Sequence, residues 1–218
     1  MIPDKPEITP AGDTSICEGE AVILTAPYST DYLWSNGAIT RSIRATDSGS
    51  YSLIIKDEYG CFSQASDSVE ISINPLPEKP DITPAGDTSI CDGETVILSA
   101  SIAASYSWSN AESSPQIEVT TTGRYSVTIT DENGCVSPVS DAVDITVHPL
   151  PEKPSINITS NTLISSSGTG NQWYFENAVI SGAVDKEYTI SQNGNYFVIV
   201  TNENGCSSSS DTSYFIVT

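Results

Sequence analysis

A repeat without slippage constrains this chain more than any other feature. Pro80 to Cys91 (PDITPAGDTSIC) nearly copies Pro6 to Cys17 (PEITPAGDTSIC). Cys17 and Cys91, Trp34 and Trp108, Tyr51 and Tyr125, and Cys61 and Cys135 each stand 74 residues apart. A period kept to the residue at so many positions means that the first two repeats share one backbone. A third repeat is diverged. Pro151-Glu152-Lys153-Pro154 restates Pro77-Glu78-Lys79-Pro80 at the same step, but Trp173 follows Trp108 by 65 residues, and Tyr196 and Cys206 follow their counterparts by 71. The stretch lost before the tryptophan is the one that holds Cys91, so the third repeat has no first cysteine. The repeats are therefore read as 1–75, 76–149 and 150–218.

The joints are Asn74-Pro75-Leu76-Pro77 and His148-Pro149-Leu150-Pro151. Closely spaced prolines favour a stiff extended connector of ~3.1 Å per residue, which separates neighbours by ~20 Å. The expectation is a semi-rigid, extended array. Charge points the same way. Asp plus Glu is 28 against 8 Lys plus Arg, a formal net charge of −20, and each repeat is acidic, so like charges repel within a screening length of ~8 Å. That balance excludes nucleic acid as a partner, since phosphate needs clustered Lys and Arg, and it excludes a polybasic hold on anionic lipid. No apolar run approaches the ~18 residues of a spanning helix, so no membrane insertion is expected. The start, Met1-Ile2-Pro3-Asp4, has no signal-peptide character. Met1 is read as a start set on a piece of a longer exported protein.

Each repeat reads as all-β. Runs rich in Val, Ile, Thr and Tyr are punctuated by Gly, Asn, Asp and Pro, with no helical period. In the second repeat the expected strands are Thr95–Ala100, Ser105–Ser109, Gln116–Thr120, Tyr125–Thr130 and Ala142–Val147. Asn36-Gly37, Asn133-Gly134 and Asn204-Gly205 read as type I′ hairpin turns. Two features narrow this to three tandem immunoglobulin-like β-sandwiches. A tryptophan on the third strand (Trp34, Trp108, Trp173) fills the space between sheets. A Gly-x-Tyr element (Tyr51, Tyr125, Tyr196) matches the tyrosine corner. Two residues after that Tyr, where antibody domains carry cysteine, stand Leu53, Val127 and Val198, and the facing position on strand B is Ala26. Apolar packing replaces the inter-sheet bridge.

The cysteines are Cys17, Cys61, Cys91, Cys135 and Cys206. Two pairings are open, beside a third reading as free buried thiols that export would disfavour. Within repeats, Cys17 joins Cys61, Cys91 joins Cys135, and Cys206 is left over. Staggered, Cys17 joins Cys135, Cys91 joins Cys206, and Cys61 waits for a repeat upstream. Strand mapping puts Cys17 and Cys61 at opposite ends of one sandwich, beyond the ~7 Å that a bridge tolerates between Cα atoms. Closure of each repeat on itself is the commoner arrangement. Each scheme leaves one orphan, so parity does not decide.

The residues also carry a resemblance. Ile16-Cys17-x-Gly19-x-x-Val22-x-Leu24-Thr25-Ala26, Trp34-Ser35-Asn36-Gly37, Ser48-Gly49-x-Tyr51 and Tyr59-Gly60-Cys61 resemble the Ig-like/PKD-like repeats of large Bacteroidetes surface and secreted proteins. The second repeat matches except that Ala111 replaces the glycine after Trp108-Ser109-Asn110. The third resembles a sister form through Gly170-Asn171-Gln172-Trp173-Tyr174, Gly194-x-Tyr196 and Asn204-Gly205-Cys206. The resemblance implies export through the type IX system, an extracellular or cell-surface location, and a noncatalytic accessory role beside other domains of the same longer chain.

No catalytic residue is expected. The one histidine, His148, falls in a Pro-rich joint, and no nucleophile elbow or phosphate loop appears. Calcium is the cofactor weighed: Asp57-Glu58-Tyr59-Gly60 and Asp131-Glu132-Asn133-Gly134 set oxygens at tight turns, and Asn202-Glu203-Asn204-Gly205 lacks the first carboxylate. Polar hairpin tips account for the same residues, so no cofactor is expected. Polysaccharide or a surface protein is the outside partner considered. The aromatic candidates are Tyr28, Tyr32, Tyr106, Tyr174 and Phe175, of which Tyr32 and Tyr106 share a strand face with their tryptophans and turn inward. The function expected is a structural, adhesion or spacer module, with a carbohydrate-binding accessory module as the alternative.

Overall fold

The computed structural model describes residues 2–217; Met1, read above as an added start, and Thr218 lie outside the described residues. The described chain is all-β. The first repeat holds β1 (Thr9–Pro10), β2 (Ser15–Cys17), β3 (Val22–Thr25), β4 (Asp31–Trp34), β5 (Ser42–Ala45), β6 (Gly49–Tyr51), β7 (Leu53–Lys56) and β8 (Val69–Asn74). The second holds β9 (Ile82–Pro84), β10 (Ser89–Cys91), β11 (Val96–Ala100), β12 (Ser105–Trp108), β13 (Gln116–Val119), β14 (Gly123–Tyr125), β15 (Val127–Thr130) and β16 (Val143–His148). The third holds β17 (Ile156–Thr159), β18 (Thr162–Ser165), β19 (Asn171–Phe175), β20 (Ala178–Val179), β21 (Glu187–Thr189), β22 (Gly194–Thr201), β23 (Ser207–Ser209) and β24 (Ser213–Phe215).

The chain divides into two compact units. One runs to Asp81 and adds Ala100–Pro115 and Ser126–Asp141; the other takes Ile82–Ser99, Gln116–Tyr125 and the chain from Ala142. The first unit contains the whole first repeat. Its strands pair as β1-β3-β5, β4-β7 and β2-β8-β6. Burial alternates along β3, β5 and β7, so Val22, Leu24, Ile43, Ala45, Leu53 and Ile55 turn inward onto Trp34, as a strand period of two requires. β6 and β7 form one run broken only at Ser52, whose carbonyl accepts from Ser35 N and whose N–H donates to Ser35 Oγ. The order is that of the ABE and CFG sheets of an immunoglobulin-like sandwich, with β2 adding a parallel edge strand beside β8. The second unit contains the third repeat, paired as β17-β18-β21 and β20-β19-β22-β23 with β24 also on β22, around Leu163, Trp173, Ile190, Tyr196 and Val198.

Three sequence expectations need correction. The run Tyr125–Thr130 is interrupted at Ser126, which bonds Ser109 as Ser52 bonds Ser35. The short strands β9 and β10 were not foreseen, because Pro84, Gly86 and a lone Ile90 give no alternating pattern. The Asn-Gly turns are not type I′. That turn needs positive φ at both central residues, yet among the described residues positive φ outside glycine is confined to Ala111, Ser160, Glu176 and Asn177. At Asn36-Gly37, Gly37 N donates to Trp34 O, Trp34 N donates to Ala38 O, and only Gly37 has positive φ, 84°. This is a three-residue hairpin with the glycine in the left-handed bulge position. Among the described residues, Glu176-Asn177 has positive φ at both central residues, 46° and 65°, and makes a type I′ hairpin between β19 and β20.

Ala111 occupies the Gly37 position with φ 68°. A non-glycine residue there costs about 1 kcal/mol or more. Ala111→Gly relieves that strain and gives part of it back as unfolded-chain entropy. The expected result is a net stabilisation of ~0.5 kcal/mol, measured as a raised urea midpoint.

Candidate functional site

The candidate site is built from two turns and the cysteines they carry. The second cysteine of each repeat follows a tight hairpin. Its first residue supplies one oxygen to two backbone amides: Asp57 Oδ1 accepts from Tyr59 N (3.0 Å) and Cys61 N (2.8 Å), and Asp131 Oδ1 from Asn133 N (2.9 Å) and Cys135 N (2.8 Å). Asn202 Oδ1 does the same for Asn204 N (3.1 Å) and Cys206 N (3.0 Å). One acceptor oxygen suffices, so an amide replaces the carboxylate in the third repeat without loss. The oxygens weighed as calcium ligands thus serve the turn, and among the described residues no group of three or more His, Cys, Asp or Glu side chains is arranged to hold a metal.

The first cysteine sits elsewhere. Cys17 ends β2, in register with Asn74 at the end of β8. Glu18 N donates to Asn74 O, and Cys17 N donates to Glu20 Oε2. The second repeat repeats this: Cys91 is opposite His148, Asp92 N donates to His148 O, and Cys91 N donates to Glu94 Oε2. Both cysteines are therefore clamped beside the strand by which the chain leaves the repeat. His148 is the last residue of β16 rather than a linker residue. Its Nε2 lies 2.9 Å from Ser89 Oγ, the place where Asn74 Nδ2 meets Ser15 Oγ in the first repeat. An asparagine doing the same work marks this Ser–His contact as a strand-edge hydrogen bond, not a catalytic pair.

The disulfides are Cys17–Cys135 and Cys91–Cys206, with Cα separations of 5.5 and 5.6 Å. The pairing within repeats, Cys17–Cys61 and Cys91–Cys135, is not formed. Each first cysteine joins the second cysteine of the following repeat, and Cys61 is a half-buried free thiol. In the second unit the leaving strand is held by more than sulfur. Asn202 Nδ2 donates to Pro149 O (3.0 Å), Ser208 Oγ to Pro151 O (2.7 Å), and Cys206 Sγ lies 3.9 Å from His148 O. At each entry point a lysine beside a proline pairs with an aspartate near the last strands: Lys5–Asp67, Lys79–Asp141 and Lys153–Asp211. These pairs are exposed and contribute at most ~1 kcal/mol each.

The structural residues fall as follows. Trp34, Trp108 and Trp173 are buried, each indole N–H donating to a backbone carbonyl: Thr40, Ser114 and Asp185. The hydroxyls of Tyr51, Tyr125 and Tyr196 donate to the carbonyls four residues back, on Asp47, Thr121 and Gln192. Burial raises the Tyr196 pKa above its ordinary value, with nearby Tyr188 adding and the Gln192 bond opposing. Of the aromatic candidates, Tyr32 packs on the first core. Its hydroxyl and that of Tyr106 accept from Ser29 N and Ala103 N. Phe175, read as exposed, packs against the third core beside Tyr196. Tyr28 is exposed, with the Arg41 guanidinium 3.5 Å from its ring centre. Tyr174 stacks on Phe197 at 4.7 Å, a partner the sequence reading missed. The same two positions are the bonded serine pairs Ser35/Ser52 and Ser109/Ser126 in the other repeats.

No family model matches the chain, and no curated protein matches it. Among solved structures, one described as giving structural insight into host cell surface retention of a 1.5-MDa bacterial ice-binding adhesin is similar over 98% of this chain and 98% of its own. The sequence identity is 12% and the TM-score 0.35. A likeness at that level does not extend to function.

Proposed function

We propose that this chain is a noncatalytic spacer or adhesion segment of an exported bacterial surface protein, of the kind its motifs resemble in Bacteroidetes. The observation that carries the reading is the staggered pair of disulfides. A bridge within a repeat only stabilises that repeat. A bridge from each repeat to the next fixes the joint between successive modules, which is useful where a chain must hold its form under load. The disulfides also fit an oxidising, extracellular setting, and the acidic composition fits a solvated surface. The three Trp and the corner residues Tyr51, Tyr125 and Tyr196 are accounted for by the cores, and Asp57 and Asp131 by backbone amides.

The alternative is a carbohydrate-binding accessory module. The Tyr174–Phe197 stack favours it, because it stands where the other repeats place serines. The two readings separate on insoluble polysaccharides, cellulose and chitin among them, with and without calcium. The spacer reading predicts flow-through on every matrix. Saturable retention that free sugar competes away, and that Tyr174→Ala reduces at least tenfold, would replace it with the binding reading.

A further inference from the structure

We infer that Cys61 is the acceptor of an open disulfide ladder, and that its partner is the first cysteine of another repeat of this type preceding residue 3. The inference rests on the disulfides and not on the spacer reading. The same site occurs three times here: a hairpin opened by Asp57, Asp131 or Asn202 and closed by Cys61, Cys135 or Cys206. Two of the three copies hold their ligand in this structure, and the ligand is of one kind, the first cysteine of the repeat before. At the Cys206 copy the recognition reaches past sulfur to the leaving strand and its Pro-Leu-Pro connector, through Asn202 and Ser208. Burial marks the difference: Cys135 and Cys206 are 0% and 1% exposed, whereas Cys61, on the same turn with the same two amide bonds from its leading Asp, is half-open to solvent.

The partner's chemistry follows from the filled copies. It is a Ser-Ile-Cys-acid-Gly turn whose cysteine lies beside an outgoing strand. A second copy of this chain does not supply it, because Cys17 and Cys91 are already bridged and the third repeat has no first cysteine. The ladder therefore stops at the third repeat, which offers no first cysteine to pass on, and is open at Cys61. Bridge formation takes two electrons and two protons from the two thiols. Thiol–disulfide exchange with a small-molecule disulfide supplies the oxidant: one thiolate attacks it and releases one small thiol, and the partner thiolate then displaces the second.

The test lengthens the chain in register. A copy of residues 3–76 placed ahead of Pro3 keeps the 74-residue period; in that copy only, its own second cysteine carries Cys61→Ser. A second lengthened chain uses residues 77–150 with Cys135→Ser in the added copy, so that failure of one added repeat to fold does not decide the result. Both are purified, equilibrated with oxidised and reduced glutathione, counted for free thiols under denaturing conditions and mapped by non-reducing peptide analysis. The expected result is zero thiols per chain and a peptide joining the added first cysteine to Cys61, with Cys17–Cys135 and Cys91–Cys206 unchanged. Two thiols per chain in both lengthened chains, or a covalent dimer through Cys61 with the added cysteine left free, would overturn the inference.

Discussion

Replacing both members of one staple, Cys17→Ser with Cys135→Ser, is expected to lower stability by ~2–4 kcal/mol. The bridge closes a loop with a sequence separation of 118 residues. Restricting an unfolded loop of that size is worth ~4–5 kcal/mol as a ceiling, and measured disulfides commonly deliver less. The comparison that gives the number meaning is Cys61→Ser, which removes a cysteine without removing a bridge. It should leave the urea midpoint within ~0.5 kcal/mol of the parent. Reductant should shift the parent to the midpoint of the Cys17→Ser, Cys135→Ser chain or below, and should leave the Cys61→Ser effect unchanged. A double substitution as stable as the parent would mean that the staples do not stabilise these repeats.

The second large effect lies in the core of the third repeat. Trp173 is fully buried among Leu163, Ile190, Tyr196 and Val198, with Tyr188 6.2 Å away across the rings. Trp173→Ala removes the largest side chain there and leaves a cavity that the sheets cannot close, at a cost of ~3–5 kcal/mol. It also leaves the Asp185 carbonyl without its indole donor. Trp173→Phe keeps most of the volume and loses the hydrogen bond, so its cost should be about 1–2 kcal/mol. Urea unfolding followed by far-ultraviolet circular dichroism separates these outcomes. An Ala variant with an unchanged midpoint would remove Trp173 from the core.

Much of this was legible in the residues. The 74-residue step fixed which positions share a backbone environment. The apolar runs of β3 and β7 mark strands without saying which face is buried, whereas alternation along β5 (Ser42-Ile43-Arg44-Ala45) is visible in the letters. So is the inward face of Phe175: it stands two residues after Trp173 on one strand, the rule that turned Tyr32 inward. Phe197, directly after the buried Tyr196, faces the other way and meets Tyr174 by the same rule. What was not legible depended on tertiary partners. The turn type at Asn36-Gly37 is set by a three-residue loop from Trp34 to Ala38, which the dipeptide does not reveal. The disulfide pairing is set by β2, three residues with one apolar side chain, running parallel to β8. Strand mapping put Cys17 at the end of the sandwich opposite Cys61 and left the choice of pairing open, and no periodicity announces the short strand that sets Cys17 beside the outgoing one.

The staggered ladder is tested most directly by digesting the oxidised, unalkylated protein and sequencing its disulfide-linked peptides by mass spectrometry. Linked peptides containing Cys17 with Cys135 and Cys91 with Cys206, together with Cys61 recovered as a thiol, are the predicted result. A Cys17–Cys61 or Cys91–Cys135 peptide would contradict it and return each repeat to closure on itself.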